Sequence, residues 1–234
     1  MVYVTADLHG FPLKDFRALL QTAGFGDRED DFLFILGDII DRNGDGGIEM
    51  LSWLTTQSNV QLILGNHEAM LLSCKWILDE VTDDSIAQLS PARMELLANW
   101  MKNGAAPTLK SLRALQKSHP DRVEDILDYL EECPLYETVH VNKRDFVLTH
   151  GGLGNFSGSK KLSDYTSDEL LWTRPDLEER YFTDRLTIIG HTPTGYYGSA
   201  YKNKILYTPT WIDIDTGSLP CILRLDDLAE FYTE

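Results

Sequence analysis

The strongest constraint on this chain of 234 residues is a set of five short apolar runs, each ending beside a glycine and a side chain able to bind a metal ion. Val2–Ala6 runs into Asp7-Leu8-His9-Gly10, and Phe32–Leu36 into Gly37-Asp38-Ile39-Ile40-Asp41-Arg42. Val60–Leu64 runs into Gly65-Asn66-His67-Glu68, Phe146–Thr149 into His150-Gly151-Gly152, and Leu186–Ile189 into Gly190-His191-Thr192. Continuous apolar runs of this length read as strands buried on both faces. Helix-like segments at Phe16–Leu20 and Ile48–Leu54 separate the first three, and a β-α-β-α-β order implies a sheet covered by helices. Ligand sites in open α/β sheets form outside the carboxyl ends of the strands, so ends distant in sequence can converge there. Asp7 and His9 are two apart, which in extended backbone points both to one face. The glycines permit sharp turns and close approach. Of the six histidines, four (His9, His67, His150 and His191) lie in these strand-end turns, whereas His119 and His140 do not.

Each motif alone has an ordinary explanation. Asp-x-His is commonly a surface turn, His-Gly-Gly a terminator, Gly65-Asn66 a turn signal and Gly37-Asp38 a helix cap. Five in succession, each after an apolar run, outweigh that explanation. The rest of the chain is consistent with one domain over residues 1–234. Residues 68–132, rich in Leu, Ala, Lys, Glu and Asp, read as a helical segment broken near Gly104 and Pro107. Strands resume at Tyr136–Val141, and Lys204–Tyr207, Trp211–Ile214 and Cys221–Leu225 make the final third strand-rich. An apolar content of 43% supports a packed core. The net charge of -16 repels nucleic-acid phosphates, although metals and a few arginines can reverse the field inside one cleft. No apolar run is long enough to span a bilayer, and Met1–Asp7 lacks the basic and apolar parts of a leader. Three well-separated cysteines, Cys74, Cys133 and Cys221, fit free thiols in a reducing cytoplasm, the expected location.

Taken together, the motifs resemble the phosphoprotein phosphatase branch of the calcineurin-like metallophosphoesterases, most closely its compact bacterial and bacteriophage members. The resemblance runs from Val2 to about Gly217, where Ile212-Asp213-Ile214-Asp215-Thr216-Gly217 is similar to a late strand of that fold. It implies an α/β, four-layer αββα sandwich, with the helical segment after the third strand and a dimetal site at one edge. It also implies that Asp7, His9 and Asp38 hold one ion and that Asp38, Asn66, His150 and His191 hold the other, with Asp38 bridging. By the same resemblance His67 protonates the leaving group, Asp41 orients His67, and Arg42 and Arg174 grip phosphate. The implied reaction is direct attack by a hydroxide held between two divalent ions, with no phosphoenzyme. The mixed donor set suits manganese, the first expectation, or iron or zinc, better than calcium.

Phosphoserine or phosphothreonine in proteins is the first expected substrate, with small phosphoesters beside it. The Asp41-Arg42 pair tilts the expectation that way, over hydrolysis of a dinucleoside polyphosphate such as diadenosine tetraphosphate. A non-catalytic binding module is a remote third, because all six ligand positions and His67 are present. Two positions depart from the family pattern: Asn43 and Ala6 stand where glycine is usual. Glu68 reads as structural, at the start of a helix, and Trp53, Trp76 and Trp100 read as core. Tyr196, Tyr197 and Tyr201 are either groove lining or plain loop residues.

Overall fold

In the computed structural model, residues 1–80, 82, 89–217 and 219–233 are described. The apolar runs form strands that assemble into two five-stranded sheets. In the first sheet β1 (Val2–Thr5), β2 (Phe32–Leu36) and β3 (Val60–Ile63) are parallel, with Val2 opposite Phe32 and Leu33 opposite Val60. The antiparallel strands β9 (Cys221–Arg224) and β10 (Ala229–Tyr232) extend it beyond β1. In the second sheet β4 (Tyr136–Val141) and β5 (Arg144–Thr149) pair antiparallel. There β6 (Arg185–Ile189) and β8 (Trp211–Asp213) run parallel to β5, and the two-residue β7 (Leu206–Tyr207) closes the edge.

The sheets pack face to face. Val4, Phe34, Leu36 and Ile63 from the first meet Phe146, Leu148, Ile188 and Ile212 from the second. The alternate residues Tyr3, Leu33, Ile35 and Leu62 point the other way into a helical layer. That layer contains α1 (Leu13–Ala23), α2 (Ile48–Leu54) and α3 (Asn66–Cys74). Both faces of β1, β2 and β3 are therefore apolar, which is why these three strands carry no alternation. Ile189 and Trp211 on the outer face of the second sheet are covered by Leu153, Tyr165, Leu170 and Tyr181. The only α-helix described in this cover is the five-residue α7 (Ser167–Leu171), so the fourth layer of the αββα sandwich is mostly loop.

The helical segment begins at Asn66, two residues ahead of expectation, and continues through α4 (Pro91–Lys102), α5 (Ala106–Ser118) and α6 (Pro120–Glu132). Part of it, residues 81 and 83–88, lies outside the described residues. The break falls at Gly104, whose φ of 107° ends α4. Pro107 does not break a helix. It sits in the first turn of α5, where its missing N–H would have no partner in the helix.

Candidate metal centre

The carboxyl ends of β1, β2 and β3 in one sheet and of β5 and β6 in the other open onto the same space. The turns there are sharply bent: Asp7 (φ 54°), His9 (41°), Asp38 (55°), Asp41 (76°), Arg42 (67°) and His191 (67°) are all left-handed. Such conformations disfavour side chains beyond glycine, asparagine and aspartate, and they persist only where neighbours over-determine them. Asp7 and His9 therefore do not converge by strand alternation, as expected from an extended backbone; the bend itself brings them together. The neighbours are backbone donors and acceptors in adjoining turns. Asp7 N–H donates to Gly37 O (3.1 Å), His9 N–H to Asp38 O (2.8 Å) and Gly10 N–H to Ile39 O (2.7 Å). Gly190 N–H reaches His150 O (2.8 Å), and His191 N–H donates to Asp7 Oδ2 (2.9 Å).

Glu68 binds the turn after β2 to the start of α3. Its buried carboxylate accepts from the N–H groups of Asp38 (2.8 Å), Ile39 (2.8 Å), Ile40 (3.2 Å) and Gly65 (3.1 Å). Gly65 is needed for that approach, because a Cβ there would lie 2.3 Å from Asp38 N. The structural reading of Glu68 holds, with a wider reach than a favourable place on the helix dipole.

Asp38 occupies the middle of the site. Its Oδ2 is 3.6 Å from His9 Nε2 and 3.8 Å from His67 Nε2, and its Oδ1 is 3.4 Å from His150 Nε2. Asn66 Oδ1 lies 2.8 Å from His150 Nε2 and 2.9 Å from His191 Nδ1. Asp7 Oδ1 stands 3.9 Å from His9 Nε2. Among the described residues two groups of donor atoms are close enough to hold an ion: His9, Asp38 and His67, and Asp38, His150 and His191. They share Asp38. All six ligands read from the sequence meet here, but His67, not Asp7, completes the tighter first group.

The donor chemistry fits divalent cations. His9 Nδ1 faces Ile40 O (3.0 Å) and His150 Nδ1 faces Leu36 O (2.7 Å). A carbonyl only accepts, so both nitrogens donate, and the bare Nε2 lone pairs point inward. The His150 lone pair then meets the Asn66 amide oxygen, another acceptor, and a cation resolves that opposition. Burial, foremost, holds His9 at about 4 and His191 at about 3, leaving both neutral near pH 7. Burial, then Asp215 and Asp38, raises Asp7 well above the usual carboxylate range. Burial also raises Asp213, which lies near Asp215. Such a concentration of buried carboxylates and neutral imidazoles is what a pair of positive ions would compensate.

Around the cluster, His67 Nδ1 lies 2.6 Å from Asp41 Oδ2, and Arg42 Nη2 approaches His67 Nε2 at 3.1 Å. Arg174 is exposed, and its charge depresses both His150 and His191, after larger contributions led by burial. Asn43 is not left-handed; Gly44 takes that role (φ 55°), and Asn43 Nδ2 donates to His9 O (3.1 Å). The missing glycine is thus made good one residue on. Sequence reasoning missed three participants. Trp100, read only as core, donates its indole N–H to Asp41 Oδ2 (2.8 Å), and Thr108 donates to Asp41 Oδ1 (2.6 Å). Trp172 stands edge-on to His191 at 5.9 Å while 41% exposed. His140 lies elsewhere, exposed and paired with Asp145.

A family model described as calcineurin-like phosphoesterase matches residues 1–214. A symmetrical bis(5'-nucleosyl)-tetraphosphatase of Buchnera aphidicola subsp. Acyrthosiphon pisum is 31% identical over 121 residues, covering 50% of this chain and 43% of that protein. A symmetrical bis(5'-nucleosyl)-tetraphosphatase of Acidovorax sp. is 26% identical over 170 residues, covering 73% of this chain and 47% of that protein. The chain thus matches less than half the length of these relatives. A solved structure provisionally named a diadenosine tetraphosphatase superposes with a TM-score of 0.58 at 16% identity, covering 99% of this chain and 91% of that one. A Saccharomyces cerevisiae protein serine/threonine phosphatase gives 0.52 at 17% identity, covering 94% and 71%. Both likenesses concern the fold. Among the described residues no helix is long and apolar enough to cross a membrane.

Proposed function

This chain belongs to the calcineurin-like phosphoesterases, and from that membership we propose a metal-dependent phosphoesterase whose reaction centre is the Asp38 cluster and whose substrate is a dinucleoside tetraphosphate. The observation that carries the reaction centre is the Asp38 carboxylate shared by two groups of buried donor atoms. The substrate rests on the named activity of the curated relatives. It displaces phosphoserine and phosphothreonine, the first expectation. The Asp41-Arg42 pair does not separate the two substrates, because it acts on the phosphoryl group and leaving oxygen that both possess. Trp172 favours the nucleotide: an exposed indole beside His191 offers a base a ring to stack on.

Asp7, His9 and Asp38 would hold one divalent cation, and Asp38, Asn66, His150 and His191 the other. His67, although close enough to join the first group, is assigned the proton instead, because Asp41 engages its Nδ1 and Arg42 its Nε2. Bound there, the pair supplies Lewis acidity toward phosphoryl oxygens and acidifies coordinated water. Manganese, iron and zinc suit the donors. Arg42 and Arg174 take the substrate phosphate, which guanidinium groups can bind through paired hydrogen bonds. His67 gives a proton from Nε2 to the departing oxygen. Burial opposes charge on that ring, but the carboxylates of Asp38 and Asp41 outweigh it and its pKa is raised. Arg42 must release His67 Nε2 for phosphate before that nitrogen can donate. Metal-reconstituted protein should turn over diadenosine tetraphosphate with a higher kcat/KM than a phosphoserine peptide, and EDTA should abolish both activities. The opposite substrate ranking would return the protein-phosphatase reading.

A further inference from the structure

We infer that Trp100 and Thr108, carried by the helical segment, are positioning residues that act on His67 through Asp41; the inference rests on His67 being the proton donor. The Asp41 side chain is enclosed, and three donors from three helices surround its carboxylate. His67 Nδ1, from α3, is 2.6 Å from Oδ2. Trp100 Nε1, from α4, donates to the same oxygen at 2.8 Å. Thr108 Oγ1, in the first turn of α5, donates to Oδ1 at 2.6 Å and accepts the Asp41 backbone N–H at 3.0 Å. Arg42 N–H is also held, by Gly104 O between α4 and α5 (3.0 Å).

The chemistry of each partner fits a positioning role. An indole N–H only donates and does not titrate near neutral pH, so it is a fixed reference for the carboxylate. Thr108 grips the other oxygen and the backbone of the same residue, and together they set the plane of the carboxylate. Oδ2 then keeps a lone pair aimed at His67 Nδ1, which holds the Nδ1–H in place and leaves Nε2 facing Asp38. A tryptophan serving the core alone could bury its N–H against any carbonyl. This one is spent, 59 residues away in sequence, on the carboxylate that orients the proton donor.

The test compares two substrates in each metal-loaded variant. Phenyl phosphate releases a basic phenolate that needs a proton, whereas 2,4-dinitrophenyl phosphate releases an anion that does not. The ratio of their kcat/KM values cancels the fraction of protein that is folded or loaded, so simple destabilisation leaves it unmoved. His67→Asn should lower the ratio (phenyl over dinitrophenyl) most. Trp100→Phe and Thr108→Val should each lower it about 10-fold, within the range that outer hydrogen-bond partners of a reaction centre contribute. Thr108→Ser, which keeps the hydroxyl, should recover most of the loss seen with Thr108→Val. A lowered ratio in His67→Asn with wild-type ratios in both Trp100→Phe and Thr108→Val would overturn the inference. An unchanged ratio in His67→Asn would remove His67 as the donor, and the inference would fall with it.

Discussion

At the scale of single residues, the site depends on side chains whose placement is set by turns. Asp38 is the most consequential, because both groups of donors use it. Asp38→Asn should cost more than the about 10–100-fold in metal affinity that outer partners contribute; titration with manganese would show this, and retained two-ion binding would exclude the shared role. Trp172→Ala should raise KM for diadenosine tetraphosphate about 10-fold with little change in kcat, if base stacking contributes about 1–3 kcal/mol. An unchanged KM would leave Trp172 without a part in binding. Asp7, His9, Asp38, Asn66, His150 and His191 were legible because each follows an apolar run at a point where side chains meet. Trp100 and Thr108 were not. Their link to Asp41 spans 59 and 67 residues, and nothing local in the chain marks it.

Among the elements, α3 and the turn after β2 form one unit through Glu68. Glu68→Ala would leave four backbone N–H groups without their acceptor in a buried turn. At about 1–3 kcal/mol for each buried unsatisfied group, a loss of at least about 3 kcal/mol in urea unfolding is expected, even after partial relaxation. A loss under about 1 kcal/mol would show that water or a rearranged turn replaces the carboxylate. The strands with continuous apolar runs were readable because burial on two faces leaves a plain pattern. β10 was not: Ala229-Glu230-Phe231-Tyr232 is a half-exposed edge strand, with two of its four residues facing solvent. The irregular cover over the second sheet was equally unreadable, since its Leu153, Tyr165 and Tyr181 are scattered without a period.

For the whole molecule, charge is the governing quantity. In metal-free protein, burial foremost pushes Glu68 and Asp215 up to about 7 and raises Asp7 and Asp213 as well, whereas His67, opposed by its burial, is raised by Asp38 and Asp41. A raised group binds its proton more tightly folded than unfolded; its contribution is complete below the unfolded pKa and is lost as pH climbs through the folded pKa. His9, His150 and His191 are lowered from 6.5, so their stabilising effect is lost on acidification and they are silent above that value. The Tm in EDTA should therefore fall from about pH 6.5 to about pH 8, and saturating manganese should flatten the slope by compensating the carboxylates. A Tm that rose over this interval would contradict the buried-carboxylate account. The left-handed turns have a further consequence. Loop-to-loop backbone bonds hold them bent without any contribution from an ion, so the cage should keep its shape when the ions are stripped. Stripping and reloading should then restore full turnover at the speed of ion entry, without a slow refolding phase, and exchanging one transition metal for another should alter rate far more than choice of substrate.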